Sequence, residues 1–282
     1  MALSAAMLVG GTALWFSRNS EERFFGGTGV VSGARGGSGA RVWNQQELLE
    51  DPPCVAQLLR SEASNSTLED RKLVWMFLRQ ECGAEGPGRS VDWFAADEAF
   101  TWLRGAEVAA PEIEAELMSL GGDQSLSEGL RCFALQHLGM WAEGHPLGAR
   151  TVAQLRAATG EALAGGVGGL ALRVLNRMKT SSAEEEWLRV RVSELLEAVD
   201  CPTEQRVAAL QIAVELGAAE VEPFARKFVE PGRQVVERVN ALLALGRLGN
   251  QETLRWLMSQ PHPHEALVLE ARERALLFLA KR

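Results

Sequence analysis

The feature that most constrains the fold is a short pattern that occurs four times: an arginine, two variable residues, and then Ala-Leu. The four copies begin at Arg131, Arg206, Arg238 and Arg272. A fifth Ala-Leu, at Ala171-Leu172, has Gly168 at the arginine position. The leucines of the five copies are 37, 38, 32 and 34 residues apart. A period in the thirties predicts stacked pairs of helices.

Apolar residues at helical spacing support the same interpretation. In residues 202–228, a wide apolar stripe runs through Leu210 and ends before Gly217, and a shorter helical segment follows. Residues 238–258 repeat this arrangement, with Leu242 on the stripe. Alternating runs typical of strands are absent from the sequence. We therefore predict an all-α body in which each helix pair leaves one face for its neighbour to cover.

Polar residues before the apolar runs predict where individual helices begin. Ser125 is expected to start the helix that carries Arg131. Ser182 is expected to start another helix, which would reach about Val199. Pro202 is expected to open the helix that carries Arg206.

The clearest unit, residues 237–257, resembles a HEAT repeat. The resemblance rests on Arg238, Ala241-Leu242, Gly246 and Gly249; it covers residues 125–282, whereas residues 43–120 match only as generic helix pairs. It implies a right-handed α-solenoid of stacked antiparallel helix pairs. The arginine would begin the second helix of each pair, and the second helices would line the concave side.

In HEAT proteins the repeated arginine usually forms a structural ladder with acids of neighbouring repeats. The resemblance therefore makes Arg131, Arg206, Arg238 and Arg272 candidates for a ladder on the concave face, with ligand contact as the alternative. Acidic residues lie one to three positions before the four arginines. They are Glu128, Glu204, Glu237 and Glu270.

The N-terminal region differs from the body. Residues 2–16 carry no charge, and as a helix they would be about 22 Å long, shorter than the ~30 Å hydrocarbon core of a bilayer. We predict an apolar segment (1–24) that acts as a single-pass membrane anchor, a flexible Gly/Ser-rich linker (25–42) and a helical repeat domain (43–282). A cleaved signal and a soluble apolar terminus are the alternatives, which would make the protein exported or cytoplasmic. The flanking charges are too few to predict the side of the membrane.

Several potential chemical sites are weak. Residues 1–41 contribute a charge of +2 to the net −8, so residues 42–282 carry −10, which argues against nucleic-acid binding. The four cysteines form no CxxC motif, and the pair His262 and His264 has no third metal ligand nearby. The GxGxxA match at 166–171 lacks a preceding strand. We predict no catalytic, cofactor-binding or metal-binding residue.

These observations favour a non-catalytic protein–protein interaction scaffold that is tethered to a membrane through residues 2–16. Its partner would be another protein, whose identity the sequence does not give. One alternative is an enzyme on a HEAT-like scaffold, as in the bilin lyases, which would need a pocket that joins His137 or His145 to acids. The other is a soluble assembly subunit with residues 1–41 as a disordered tail.

Overall fold

A computed structural model describes residues 68–80, 93–106, 110–160 and 165–281. Every regular element in these ranges is helical, and none is a strand. Twelve α-helices lie in them, with a 3-10 turn at Ala219–Val221 before the ninth. They are α1 (Leu68–Gln80), α2 (Trp93–Gly105), α3 (Ala110–Gly122), α4 (Glu128–Ala142), α5 (Ala149–Ala158), α6 (Gly165–Met178), α7 (Ser182–Glu197), α8 (Thr203–Leu216), α9 (Glu222–Phe228), α10 (Val235–Leu248), α11 (Gln251–Ser259) and α12 (Ala266–Ala280).

The all-α prediction is confirmed for these ranges. The predicted apolar segment (1–24), the linker (25–42) and the first residues of the helical domain (43–67) lie outside the described residues. Within the described ranges, no helix combines the length and the apolar character needed to cross a bilayer.

From α3 onward the helices pack as consecutive pairs. The first helices α3, α5, α7, α9 and α11 each contact the helix that follows. The second helices α4, α6, α8, α10 and α12 also pack against one another in that order. The result is a row of second helices with a first helix beside each, an arrangement compatible with an α-solenoid.

The repeated Ala-Leu pair forms the centre of each unit. All five alanines of the pairs are fully buried. Leu135, Leu172, Leu210 and Leu242 are at most 1 % exposed, so each contributes roughly 1.5–3 kcal/mol of hydrophobic stabilisation. Leu276, in the last unit, is only partly buried. The pattern therefore marks the positions where a second helix meets both its own first helix and the neighbouring units.

Of the two predicted serine starts, the one at Ser125 is wrong and the one at Ser182 is confirmed. Ser127, not Ser125, caps α4, and its hydroxyl accepts a hydrogen bond from the amide of Leu130 at 3.3 Å. Ser125 instead lies in the preceding turn and donates to the carboxylate of Asp123. α7 begins at Ser182 as predicted, with Ser181 as its N-cap, and it ends at Glu197 rather than near Val199.

A capping side chain must reach an amide two or three residues ahead in the helix. At α7 the hydroxyl of Ser181 accepts from the amide of Glu184, whose carboxylate accepts from the amide of Ser181 in return. Both serines of the Ser-Ser pair are good caps by type. Only the register of the folded helix selects between them.

Candidate interaction surface on the second helices

Three of the four repeated arginines bind carbonyl groups at or next to the ends of the first helices, whereas Arg206 donates to the carbonyls of Val199 and Cys201 in the loop after α7. Arg131 donates from Nε to the carbonyl of Gly121 at the end of α3 (3.2 Å), and Arg238 donates to that of Val229, just after α9 (3.3 Å). Arg272 donates from Nη2 to the carbonyl of Leu257 in α11 (3.0 Å). The last carbonyls of a helix lack partners within it and carry partial negative charge. Arg131, Arg238 and Arg272 therefore each tie the start of a second helix to the end of its first helix.

Two of these arginines also reach a carboxylate in the next unit. Nη1 of Arg206 forms an ion pair with Glu237 at the start of α10, and both side chains are buried. Nη1 of Arg238 lies 2.6 Å from the carboxylate of Glu265, which is 45 % exposed. Contact with Arg238 and a backbone hydrogen bond hold the pKa of Glu265 below its ordinary value, with the backbone hydrogen bond as the main cause. The contacts between units are therefore partly ionic.

The acids nearest in sequence to the arginines have different partners. Glu237 pairs with Arg206 of the preceding unit, not with its neighbour Arg238. Glu128 accepts a hydrogen bond from the amide of Gly166 in the next second helix (2.7 Å). Glu204 is exposed, and Glu270 pairs with Arg274 one turn along α12 (2.7 Å). Sequence reasoning missed Glu265, because it belongs to the following unit and lies far from Arg238 in the chain.

The unit without a repeat arginine obtains one from its neighbour. Arg191, on α7, donates from Nη2 to the carbonyl of Thr159 at the end of α5 and from Nε to the Thr159 hydroxyl (3.3 Å). Gln205 of α8 occupies the space beside Gly168, and a Cβ at Gly168 would lie 2.0 Å from its amide nitrogen. No sequence signal predicted this exchange, since Arg191 stands outside the repeated pattern.

A second set of side chains repeats five and nine residues after the arginine position. All ten are half-buried or exposed, and we call them the second-helix surface. They are Gln136, Met140, Arg173, Arg177, Gln211, Glu215, Leu243, Arg247, Leu277 and Lys281.

Neighbouring helices are joined across this surface by polar contacts. Arg177 forms a 2.7 Å ion pair with Glu143, which follows α4. The amide of Asn176 donates to Glu215, and Gln211 donates to the side chain of Asn240 at 2.8 Å. The surface is therefore continuous from unit to unit.

The charge of the second-helix surface changes sign between α6 and α8. The α6 unit presents Arg173 and Arg177, whereas the α8 unit presents Glu215. Burial lowers the pKa of Arg173 to about 10, an effect that the charge of Glu215 opposes. Burial likewise lowers the pKa of Arg177 from its ordinary value, again opposed by Glu143 and Glu215. Both guanidinium groups remain charged at neutral pH and give this part of the second-helix surface a positive charge.

His137 lies at the junction of α2 and α4. It is 1 % exposed, stacks on Phe100 with ring centroids 4.7 Å apart, and meets Phe133 edge to face at 5.0 Å. Its Nε2 lies 3.3 Å from Oδ1 of Asp97, without hydrogen-bond alignment. Burial lowers the pKa of His137 and Arg104 adds to this effect, while Asp97 opposes it. His137 is therefore a core side chain.

The remaining histidines lie near the surface. His145 stacks on Trp141 with ring centroids 3.8 Å apart, and Nδ1 of His262 lies 2.8 Å from Nη1 of Arg272. Among the described residues, no three histidine, cysteine or acidic side chains come together as metal ligands.

The described cysteines are buried. Cys132 and Cys201 are free thiols. Burial raises the pKa of Cys132 to about 12 and also raises that of Cys201. Such thiols are poor nucleophiles, because the thiolate is the reactive form.

Comparison with known proteins adds no relative. No protein-family model matches the chain. A comparison with curated proteins finds no match either.

Proposed function

We propose that this protein is a non-catalytic interaction scaffold: a HEAT-like, right-handed α-solenoid, tethered to a membrane through residues 2–16, that binds another protein along its second helices. The observation that carries the proposal is the continuity of the second-helix surface over five units. Stacked helical repeats commonly use such extended surfaces for binding.

The burial of the repeated arginines supports different roles for the arginine position and for the positions five and nine residues after it. Arg206, Arg238 and Arg272 are 5–6 % exposed and are engaged by carbonyls and neighbouring side chains. Residues such as Leu243 and Arg247, five and nine positions after Arg238, are more accessible. Partner contacts are therefore expected on the second-helix surface, while the arginines hold the units together.

An affinity capture with the full-length protein as bait tests this function. Two charge reversals on the second-helix surface, Glu215→Lys and Arg247→Glu, should each weaken capture of a partner at least about tenfold if that site is a hot spot. Matched reversals on exposed first-helix positions, Glu186→Lys in α7 and Arg255→Glu in α11, should leave capture unchanged.

The outcomes separate the two faces. Loss of the partner with the first-helix reversals alone would place binding on the opposite side of the row. A folded Arg238→Ala variant should retain its partner; a loss at unchanged stability would assign the arginine row to binding instead.

The membrane tether is tested separately. Full-length protein should sediment with membranes, and deletion of residues 1–24 should release it without loss of helical circular dichroism, because the Gly-rich linker transmits no packing. Recovery of the full-length protein in the soluble fraction would favour the soluble assembly subunit.

We propose the scaffold over an enzyme for a geometric reason. The enzyme alternative depends on an open pocket that joins His137 or His145 to acids. His137 is enclosed by Phe100 and Phe133, and His145 lies against Trp141 at the surface.

A further inference from the structure

Helix α12 is the last second helix in the described chain, and it carries two exposed leucines. It packs against α10 and α11. Two of its leucines, Leu267 and Leu277, are each 61 % exposed. Single exposed leucines are common on protein surfaces, so an interaction site here depends on the spacing of these two and on the charges between them.

The stripe on α12 has the spacing of a coiled-coil seam. Leu267, Glu270, Arg274 and Leu277 are separated by three, four and three residues, which is the alternation of the a and d positions. The two leucines lie about 15 Å apart along the axis. The charged pair between them is also accessible, with Arg274 62 % and Glu270 57 % exposed.

This stripe is complementary to itself in one orientation only. If a second α12 lies antiparallel, with the two-fold axis at the level of Arg272, then Leu267 faces Leu277 of the second copy. In the same register, Glu270 faces Arg274 of the second copy. A parallel arrangement would place each charge opposite its own kind, which is unfavourable. A two-fold axis joins identical surfaces, so a self-complementary stripe suits an isologous dimer.

We infer that the outer stripe of α12 is a self-docking surface, on which two copies of this chain pair antiparallel through Leu267, Glu270, Arg274 and Leu277. The charge pattern selects a second copy over a membrane surface, because a carboxylate at the centre of the stripe would meet anionic headgroups. Glu270 and Arg274 already lie 2.7 Å apart within the helix. In the dimer they would extend this contact into a ring of four alternating charges.

The dimer is expected to be weak and sensitive to salt. One pair of helices buries less area than a standard interface, and ion pairs in water contribute little. Glu273, next to the stripe, would approach its own equivalent near the axis and reduce the affinity. Self-association in the micromolar range, about 10–100 µM, is the expected scale.

The inference can be tested with two forms of the full-length protein that carry different affinity tags. The experiment is done in a mild detergent if the protein sediments with membranes. The two tagged forms should co-purify when mixed, and sedimentation velocity should give a monomer–dimer equilibrium. Leu277→Asp should weaken this association at least about tenfold. Met258→Asp is the matched control, because Met258 is a 66 % exposed apolar residue of α11 outside the stripe, and it should have no effect.

A charge-reversal pair gives the sharper test. Glu270→Lys makes the centre of the stripe wholly basic, and Arg274→Glu makes it wholly acidic, so neither variant should associate with itself. Mixed together, the two variants should form a heterodimer, since both cross-helix contacts then join opposite charges. The circular dichroism melting curve of each variant shows whether it remains folded.

The inference is overturned in any of three ways. The first is that the wild-type protein stays monomeric up to about 200 µM, well above the expected dissociation constant. The second is that dimers form but are unaffected by Leu277→Asp. The third is that the folded reversal variants fail to associate when mixed. Leu277 also belongs to the second-helix surface, whereas Glu270 and Arg274 do not. The reversal pair at Glu270 and Arg274 therefore distinguishes a failure of self-association from a failure of the partner-binding experiment with Glu215 and Arg247.

Discussion

The unit of α5 and α6 and the units from α7 to α12 close the same junction in different ways. In the later units, the second helix supplies its own arginine to the end of the first helix, as Arg238 does at Val229. In the α5–α6 unit that position is Gly168, and Arg191 of the following unit reaches back to Thr159 instead. At both junctions an arginine donates to a carbonyl at or just after the end of the first helix, but the arginine comes from different positions.

The two solutions differ in how they join neighbouring units. The ion pair of Arg206 and Glu237 is buried and links α8 to α10. At Gly168 the absence of a side chain lets α8 come close to α6, and a Cβ at Gly169 would lie 3.0 Å from the carbonyl oxygen of Glu204. One junction is therefore held by charge and the other by close helix packing.

Removal of the buried arginine should have the largest effect. Arg206→Ala leaves the carboxylate of Glu237 buried without its cation, so the free energy of unfolding should fall by about 3–5 kcal/mol. Chemical denaturation of the variant and wild type measures the difference. The double variant Arg206→Ala/Glu237→Ala should lose less than the sum of the single changes. Additive losses would show that the two residues do not interact.

Restoring the missing arginine of the pattern should be harmful. Gly168→Arg places a side chain where Gln205 already lies, so it should lower the free energy of unfolding by about 1–3 kcal/mol or more. Gly168→Ala is the smaller control. Adding Gln205→Ala to the Gly168→Arg variant should recover part of the lost free energy of unfolding. A Gly168→Arg variant that is more stable than the wild type would mean that this unit can accommodate an arginine at the repeat position, as the other units do.

The arginine that serves the glycine unit should matter moderately. Arg191→Ala removes the donors to Thr159, whose side chain is buried, and should cost about 0.5–1.5 kcal/mol. Thermal denaturation is a suitable measurement, with Arg255→Ala on the exposed face of α11 as the control. Equal effects of the two substitutions would contradict a role for Arg191 at this junction.

A smaller effect, a pH dependence of the stability, should appear at the junction of α2 and α4, where neutral His137 is buried. The folded state lowers the pKa of His137, chiefly by burial, so the unfolded chain binds a proton more readily. The stability that depends on neutral His137 is present above the unfolded pKa of about 6.5. It is lost as the pH falls through the folded pKa.

Denaturation curves between about pH 7 and pH 5 measure this dependence around the unfolded histidine pKa. His137→Phe should flatten the slope, because it keeps an aromatic ring between Phe100 and Phe133 and removes the titration. An unchanged slope in a folded variant would assign the pH dependence to other groups.

Much of the architecture was predictable because it depends on local periodicity. The period of the Ala-Leu pairs indicated helix pairs, and Leu242 is buried as its stripe required. The start of α7 at Ser182 was predicted correctly, whereas that of α4 was missed because Ser125 and Ser127 are both good caps by type. Gln205 and Arg191 could not be assigned, since a single sequence does not show which unit a long polar side chain will reach.

The sequence by itself determined that the body is helical and that its units recur, because 3.6-residue periodicity and a repeated apolar pair act over short distances. The tertiary structure decided which charges meet: Glu237 belongs to Arg206, Glu265 to Arg238, and Thr159 to Arg191. Residues roughly thirty positions apart become neighbours only when one helix pair stacks on the next. Hydrophobic spacing specifies each helix, whereas ion pairs and hydrogen bonds between units depend on the register of that stacking.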